Sequence, residues 1–258
     1  MQAFYDLAPL ELIRRKRVQW IFDGNRTDII SSLRSKSLRK FLTKAENLLA
    51  EQGITWDIKP ISVQEYAEWL PFYEQHMKLL NHDLLAKPDW YEKKIAEGKE
   101  VVGIFFRKDT KLVGSGIAVQ TAKKFISFAY KASDFISLSS QSNSSLGSVI
   151  DYMYLKYACT NGFETISGGR SYNAFGVETT LGYLEFKTNF YVPVLSETEE
   201  VTHSVPLPEN PEKPVLFYGE KLDQPLIPAL CILTKTPLTE EQLKQYLVPT
   251  ISYKVIQI

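Results

Sequence analysis

A lysine stands beside a phenylalanine in the middle of residues 181–194, which read LGYLEFKTNFYVPV. Most even positions are apolar and the odd positions are polar, and this period of two predicts a half-buried strand. Lys187 falls on the polar face of that strand, directly after Phe186. The lysine either faces solvent or lines a cleft in which a positive charge takes part in chemistry.

Three other side chains have types that suit a binding site. Arg170 follows a double glycine at the end of a predicted strand, where it could hold a carboxylate or a phosphate. His76 and His82 flank a predicted helix end, but six residues separate them, which is not the spacing of a helical metal pair. The sequence therefore predicts no metal site and leaves His82 as a candidate base at a cleft edge. A structural role for each of these residues stays open.

Hydrophobic periodicity predicts the elements that must position these residues. Residues 34–52 have a helical apolar stripe, and Gly53 is a suitable stop. Ser62 and Glu65 form a capping box for a helix to about residue 80, which Pro71 should kink or split. Three β-rich runs follow as a meander, and the predicted order over residues 54–194 is β-α-α-β-β-β-α-β-α-β. Residues 196–214 are acidic and proline-rich and are expected to form a loop.

The composition is that of an ordinary soluble globular protein. The chain has 258 residues, of which 44% are hydrophobic and 23% charged, with no net charge. No apolar run approaches the length of a membrane span, and the composition of the first residues predicts no secretory signal. Cys159 and Cys231 lie in apolar surroundings and are expected to be buried thiols, which favours a reducing, cytoplasmic location.

Positive charge is concentrated near the N-terminus. Residues 14–44 contain about ten basic side chains against two acidic ones. This segment is either a solvated helix face or a surface for the phosphates of a nucleotide cofactor, a carrier protein or RNA. Nucleic acid is the weaker choice, because no glycine-rich RNA motif or interleaved aromatic residues accompany the charges.

The element order resembles that of the GNAT acyltransferases, and three motifs narrow the resemblance to the FemAB-like branch. They are the basic helix LRKFLTKAENLLAEQGI at residues 38–54, the segment YLKYACTNGFETISGGRS at residues 154–171, and LGYLEFKTNF at residues 181–190. The resemblance implies a mixed α/β fold with a mostly antiparallel central sheet flanked by helices. It gives a basic N-terminal segment (1–53), one GNAT-like domain (54–194) and a C-terminal extension (195–258). The extension either covers the active site or forms a homodimer contact.

The resemblance also implies catalytic residues. In FemX-type ligases the Phe-Lys pair of this motif lies at the transfer centre, which corresponds to Phe186 and Lys187. A fixed ammonium there would stabilise the tetrahedral oxyanion that forms when an amine attacks an acyl group. Glu178 and Tyr172 lie in the loop where this fold often places a general base or acid.

The donor's phosphates would be bound at the start of the central helix, where backbone N–H groups point outward. The stretch SSQSNSSLGSV lacks the usual GNAT spacing of glutamine and glycines, so a long-chain acyl-CoA, an acyl carrier protein or an aminoacyl-tRNA fits as well as acetyl-CoA. The expected donor-binding residues are Gln141, Ser144, Ser145, Gly147 and Ser148.

Together these features predict an N-acyltransferase without a tightly bound cofactor. An amine of a peptide, an amino sugar or a metabolite would attack an acyl thioester of CoA or of a carrier protein directly, because no cysteine or serine nucleophile with a histidine partner is evident. The alternatives are aminoacyl-tRNA-dependent transfer and a non-catalytic GNAT-like binding partner.

Overall fold

The computed structural model describes residues 13–26, 28–139, 145–171, 181–203, 214–221, 224–248 and 251–257. The strands within these ranges are β1 (Ile13–Asp23), β2 (Ile54–Pro60), β3 (Glu100–Lys108), β4 (Lys111–Ala122), β5 (Phe125–Ser133), β6 (Thr165–Ser171), β7 (Val192–His203), β8 (Val215–Lys221), β9 (Gln224–Thr234) and β10 (Ser252–Gln257). The helices are α1 (Ile29–Ser32), α2 (Lys36–Leu42), α3 (Ala45–Glu51), α4 (Val63–Leu79), α5 (Trp90–Ala96), α6 (Leu146–Thr160), α7 (Leu181–Phe190) and α8 (Glu240–Lys244).

The central sheet has seven strands in the order β2-β3-β4-β5-β6-β1-β7, and a second sheet has the order β10-β9-β8. The central sheet is mostly antiparallel, with a parallel pair between β5 and β6. This confirms the predicted fold class of a mixed sheet flanked by helices. Contacts between Cα atoms divide the chain into two compact units, Phe22–Gly169 and Met1–Ile21 with Arg170–Ile258. Each is described by itself.

The unit Phe22–Gly169 is built on the predicted meander. Strands β2 to β5 pair in sequence, with Asp57 opposite Phe105 and Phe105 opposite Ser115. A two-residue turn joins β3 to β4, and Asp109 adopts the left-handed φ of 55° that such a tight turn requires. The apolar runs of β3 and β4 are buried on both faces, so helices must cover both sides of this sheet.

Helices α4 and α6 cover opposite faces of β4. Trp69 of α4 donates a hydrogen bond from Nε1 to Ser115 Oγ at 2.8 Å, and both residues are buried. A Cβ on the preceding residue, Gly114, would lie 2.8 Å from Leu146 Cδ2 of α6. Because consecutive strand residues point to opposite faces, α4 lies on one face and α6 on the other. Glycine at position 114 permits the close approach of α6.

Helix α6 connects the parallel strands β5 and β6. The fully buried Tyr154 hydroxyl lies 3.2 Å from the carbonyl of Ile126 on β5 and 3.0 Å from that of Ser167 on β6. The helix is followed by Gly162 in a left-handed conformation, with φ of 74°. The tyrosine therefore holds the helix over the two strands that it joins.

The other unit contains the β1–β7 pair and the three-stranded sheet. β1 pairs antiparallel with β7, with Ile21 opposite Val192. β9 is the central strand of the smaller sheet, antiparallel to β8 and parallel to β10. Its residues Leu230–Thr234 have buried side chains, so this strand forms the core of the extension.

The strand predicted for residues 181–190 is wrong, because these residues form helix α7. The buried positions Leu184, Lys187, Thr188 and Tyr191 follow the spacing of three and four that one helical face requires. Most residues from 184 to 194 also alternate between apolar and polar, so the period of two of a strand and the period of a helix coincide over this short stretch. Most residues of α7 are unbranched at Cβ, a composition that suits a helix.

Other local predictions had mixed outcomes. The capping box of Ser62 and Glu65 and the left-handed Gly53 are confirmed. One helix is predicted over residues 34–52, but the structure has two, α2 and α3, because the helical conformation is interrupted at residues 43–44. Helix α4 continues through Pro71 without a split. The loop predicted from residue 196 is wrong up to His203, which ends β7, and residues 204–213 lie outside the described residues.

Replacing Ser115 with alanine tests how α4 is anchored. The change leaves the buried Trp69 Nε1–H without its acceptor, and we expect the free energy of unfolding to fall by about 1–2 kcal/mol. Ser127→Ala on β5 is the matched control, because Ser127 is a half-buried serine of the same sheet. Urea unfolding of both variants is the measurement, and an equal effect of the two substitutions would contradict the anchoring role.

Candidate functional site

Three elements of the unit Phe22–Gly169 come together where β5 ends. Lys131 and Ser133 lie at the end of β5, Asp151 lies in α6, and His76 lies near the end of α4. Hydrogen bonds join these elements, between Lys131 and Asp151 and between His76 and the Ser133 backbone. Among the described residues, this is where buried and half-buried titratable groups from separate elements converge.

The most buried charge in this cluster is Asp151. Its side chain is fully buried, and its Oδ2 accepts a hydrogen bond from Lys131 Nζ at 2.6 Å. The lysine side chain is about one quarter exposed, so its ammonium connects the buried carboxylate to the surface. An ideal Cβ on Gly147 would be 4.0 Å from this ammonium, which places the positive charge beside the first turn of α6.

The N-terminus of α6 is capped by Ser145. Ser145 Oγ accepts a hydrogen bond from the Ser148 N–H at 3.3 Å, and the Leu146 N–H donates to the Ile136 carbonyl. A Cβ on Gly147 would meet Ser145 Oγ at 3.6 Å, which is an ordinary contact. The partial positive charge of the helix terminus lies beside the Lys131 ammonium, whose charge the Asp151 carboxylate partly offsets.

His76 is half-buried on the other side of this cluster. Burial lowers the pKa of its imidazole below the ordinary value of 6.5, and the nearby Lys131 and His82 also lower it. Asp134 and a hydrogen bond to the Ser133 backbone oppose this shift. A neutral imidazole keeps one ring nitrogen as an acceptor, as a general base requires.

The structure places only part of the predicted site in this cluster. Ser145, Gly147 and Ser148 lie at the start of α6, and His82 is exposed just after α4. Arg170 is exposed near the end of β6. Gln141, Ser144, Tyr172 and Glu178 lie outside the described residues, and their roles stay predictions.

Lys187 is buried rather than solvent-facing. Only 5% of its surface is exposed, and its ammonium lies 5.2 Å from the ring centre of Tyr191, 5.6 Å from that of Tyr183 and 5.9 Å from that of Phe186. These distances are typical of cation–π contacts, which partly replace the lost hydration of the charge. All four residues belong to the unit that contains α7, so the lysine lines an aromatic interior within that unit.

The described cysteines do not have the character of nucleophiles. Cys231 is buried, and burial raises the pKa of its thiol to about 12. Cys159 is half-buried, which corrects the prediction that it is buried, and its pKa is also raised by burial. Neither thiol forms a disulfide. No group of residues with metal-ligand character occurs in the described part of the chain, and no helix there could span a membrane.

Two surface grooves lie farther along α6. Their volumes are about 220 and 250 Å³, and they border Lys156 on its two sides. Lys156 donates a hydrogen bond to Glu46 at 2.6 Å, but both of these side chains are about half exposed, whereas Asp151 is fully buried. Nine residues separate Lys156 from Gly147, roughly 13 Å along the helix axis. The titratable cluster at the start of α6 is therefore the stronger candidate for chemistry.

Sequence reasoning missed two residues of the cluster, Lys131 and Asp151. One signal was available, because Asp151 interrupts the apolar face formed by Val149, Ile150 and Met153, and a carboxylate there requires a partner. The sequence does not identify that partner, since it lies twenty residues away on another element. His76 was considered only as a metal ligand, and its contact with Ser133 depends on the tertiary fold.

No protein-family model matches the sequence, and no curated protein matches it. Solved structures match it in three dimensions. FemX matches with a TM-score of 0.50 and 12% identity, over 73% of this chain and 61% of that chain. L-PGS from Bacillus licheniformis matches with a TM-score of 0.43 and 12% identity, over 62% of this chain and 46% of that chain. A tandem GNAT protein from the clavulanic acid biosynthesis pathway matches with a TM-score of 0.42 and 11% identity, over 70% of this chain and 51% of that chain.

The sheet order, the crossover through α6 and the match to FemX agree. The fold is GNAT-like. The chain spans about half to three fifths of the length of the structures that it matches. At such identities the likeness concerns the fold alone, and the FemAB-like branch stays a prediction.

The lowered pKa of His76 predicts a pH-dependent contribution to stability. Between its folded pKa and the ordinary value of 6.5, the unfolded state binds more protons, so stability is lost as the pH falls through this window. We expect His76→Gln to flatten the decline in unfolding free energy between about pH 7.5 and pH 5. His82→Gln is the control, because His82 is exposed. Urea unfolding across this range is the measurement, and an unchanged slope in His76→Gln would contradict the burial of a neutral imidazole.

Proposed function

We propose that the protein is an N-acyltransferase that moves an acyl group from a thioester of CoA or of a carrier protein to an amine. The observation that carries the proposal is the placement of Lys131 and the start of α6 near the half-buried His76. Lys131 and the start of α6 suit the phosphates of the donor, and the His76 imidazole can accept the proton that the amine loses. The GNAT-like fold supports the same reaction class.

The reaction needs few groups from the protein. The amine nitrogen forms a bond to the acyl carbon, and the bond from that carbon to the donor sulfur breaks. His76 accepts the proton that the nitrogen loses and returns it to the leaving thiolate. The acceptor amine belongs to a peptide, an amino sugar or a small metabolite. The raised pKa values of both cysteine thiols agree with direct attack rather than a covalent enzyme intermediate.

Aminoacyl-tRNA is the second candidate donor. Lys36, Lys40 and Lys44 are exposed at four-residue spacing, which gives a basic stripe in the segment singled out by the sequence. Arg39 of the same segment donates to the Leu33 carbonyl at 3.3 Å and so has a structural role. Exposed lysines suit phosphates of any source, so the donor must be decided by binding experiments.

Substitutions at Gly147 test the donor site with matched variants. Gly147→Asp introduces a carboxylate that repels phosphate, and we expect CoA to bind at least about tenfold more weakly, which is 1.4 kcal/mol. The same carboxylate suits the first turn of a helix, so the free energy of unfolding should not fall. Gly147→Ala should keep CoA binding and stabilise the protein by about 0.5–1 kcal/mol, because the site has room for a methyl group.

Gly147→Asn is the neutral control for the carboxylate, and titration calorimetry with CoA is the measurement. Equal CoA affinity of the Asp and Asn variants would contradict a phosphate site at the start of α6. Binding of bulk tRNA without binding of CoA would replace the thioester donor with aminoacyl-tRNA. If neither CoA nor tRNA binds, the alternative of a non-catalytic GNAT-like binding partner would be favoured.

Lys187 is the proposed oxyanion-stabilising residue. Lys187→Met removes the ammonium and keeps an unbranched side chain among the aromatic rings, and we expect transfer to slow by about 100-fold or more. CoA release from an acyl-CoA in the presence of a panel of amines measures the rate. The dissociation constant for CoA should stay unchanged in the variant. Full activity of folded Lys187→Met would remove this residue from the mechanism.

A further inference from the structure

Four exposed apolar side chains lie at the end of α4, in the chain after it and just after β5, in the region of the half-buried His76. Leu79 is 66% exposed, Leu80 39%, Leu85 62% and Phe135 77%. They make up four of the nine exposed large hydrophobic residues among those whose side chains are described. Such a cluster differs from the single apolar residues that are ordinary on protein surfaces. We call these four side chains the apolar rim.

Each member of the apolar rim is placed by a contact or by helix geometry. Leu79 and Leu80 follow His76 by three and four residues, so they lie on its side of α4. The Phe135 ring lies 6.0 Å from the imidazole ring. The Leu85 carbonyl accepts a hydrogen bond from the Tyr130 hydroxyl at 3.4 Å, and the Tyr130 ring lies 5.4 Å from that of Tyr73, one turn before His76. Phe135 thus contacts His76, and the other three members lie in the same region of α4.

A layer of half-buried apolar groups continues from the apolar rim into the core. Met77, Leu84, Trp90 and Tyr130 pack against the buried cluster around Trp69 and Tyr73. The rings of Trp90 and Tyr130 are 5.0 Å apart, and those of Tyr130 and Tyr73 are 5.4 Å apart. Tyr66 donates to the Lys87 carbonyl at 2.9 Å, so hydroxyl groups at both Leu85 and Lys87 hold the loop after α4. The rim thus rests on a fixed apolar base.

Charges around the apolar rim favour one kind of occupant. Residues 74–89 carry three acids against two lysines, and Asp134 adds another acid next to His76. A surface of this charge does not attract an anionic membrane, which needs a basic cluster. Lys131 lies instead beside the start of α6, where the helix terminus adds a partial positive charge. An amphiphile with an anionic end and an apolar chain matches both features.

We propose that the apolar rim binds the hydrocarbon chain of a long-chain acyl thioester while Lys131 and the start of α6 bind its phosphates. This inference rests on the proposed function and specifies the class of acyl group. The thioester would then lie between the two features, beside His76.

The test compares CoA, octanoyl-CoA and palmitoyl-CoA, each below its micelle concentration, by titration calorimetry. Each methylene removed from water gains about fourfold in affinity, and the rim covers part of the chain, so we expect palmitoyl-CoA to bind at least about tenfold more tightly than octanoyl-CoA. The double variant Leu85→Ser/Phe135→Ser should lose this preference and keep its affinity for CoA. Ile95→Ser, which replaces an exposed isoleucine of α5, is the matched control and should keep the preference.

The outcomes separate this inference from the proposed function. Tight binding of CoA with no dependence on chain length overturns the inference and leaves the donor site intact. Failure of CoA and of both thioesters to bind overturns the thioester donor and the inference with it. Binding of phosphatidylcholine vesicles that is lost in the double variant, with the chain-length preference unchanged, would assign the rim to a membrane and overturn the inference.

Discussion

Asp151 is a fully buried carboxylate on a helix face that is otherwise apolar, so it depends on the ammonium of Lys131 at 2.6 Å. A buried pair of this kind adds little net stability, because desolvation offsets most of the attraction, whereas loss of one partner costs about 3–5 kcal/mol in fully buried cases. Its main effect is therefore geometric. It joins the end of β5 to the second turn of α6 and so determines which backbone groups of the helix start lie beside a positive charge.

The pleat of β5 gives the candidate site two unlike halves. Tyr130 and Lys131 are consecutive, so their side chains point to opposite faces of the sheet. Tyr130 joins the aromatic groups of α4, with its ring 6.0 Å from that of Trp69, and Lys131 reaches Asp151 of α6. Because β5 ends two residues later, both faces become accessible at one place. An apolar surface and an anion site can then contact different parts of one substrate.

Much of the fold could be predicted because its signals are local. Caps such as Ser62 with Glu65, a stop such as Gly53, and the β-rich runs of β3 and β4 each lie within a few residues. The candidate site depends on contacts that sequence spacing does not encode, such as Lys131 with Asp151 and His76 with the Ser133 backbone. Helix α7 shows the limit of periodicity itself, because ten residues can satisfy a period of two and a helical period together.

The strand predicted for residues 181–190 is wrong, but the question of whether Lys187 takes part in chemistry is unchanged. The strand interpretation put the lysine on a polar face, whereas the helix directs it among Tyr183, Phe186 and Tyr191. Water around an exposed ammonium weakens its field at a developing oxyanion, and a ring-packed ammonium is less screened. Burial of a cation is costly, and the surrounding rings offset part of that cost. Whether the buried ammonium also stabilises an oxyanion stays a prediction, because the helix determines where Lys187 lies and not what it binds.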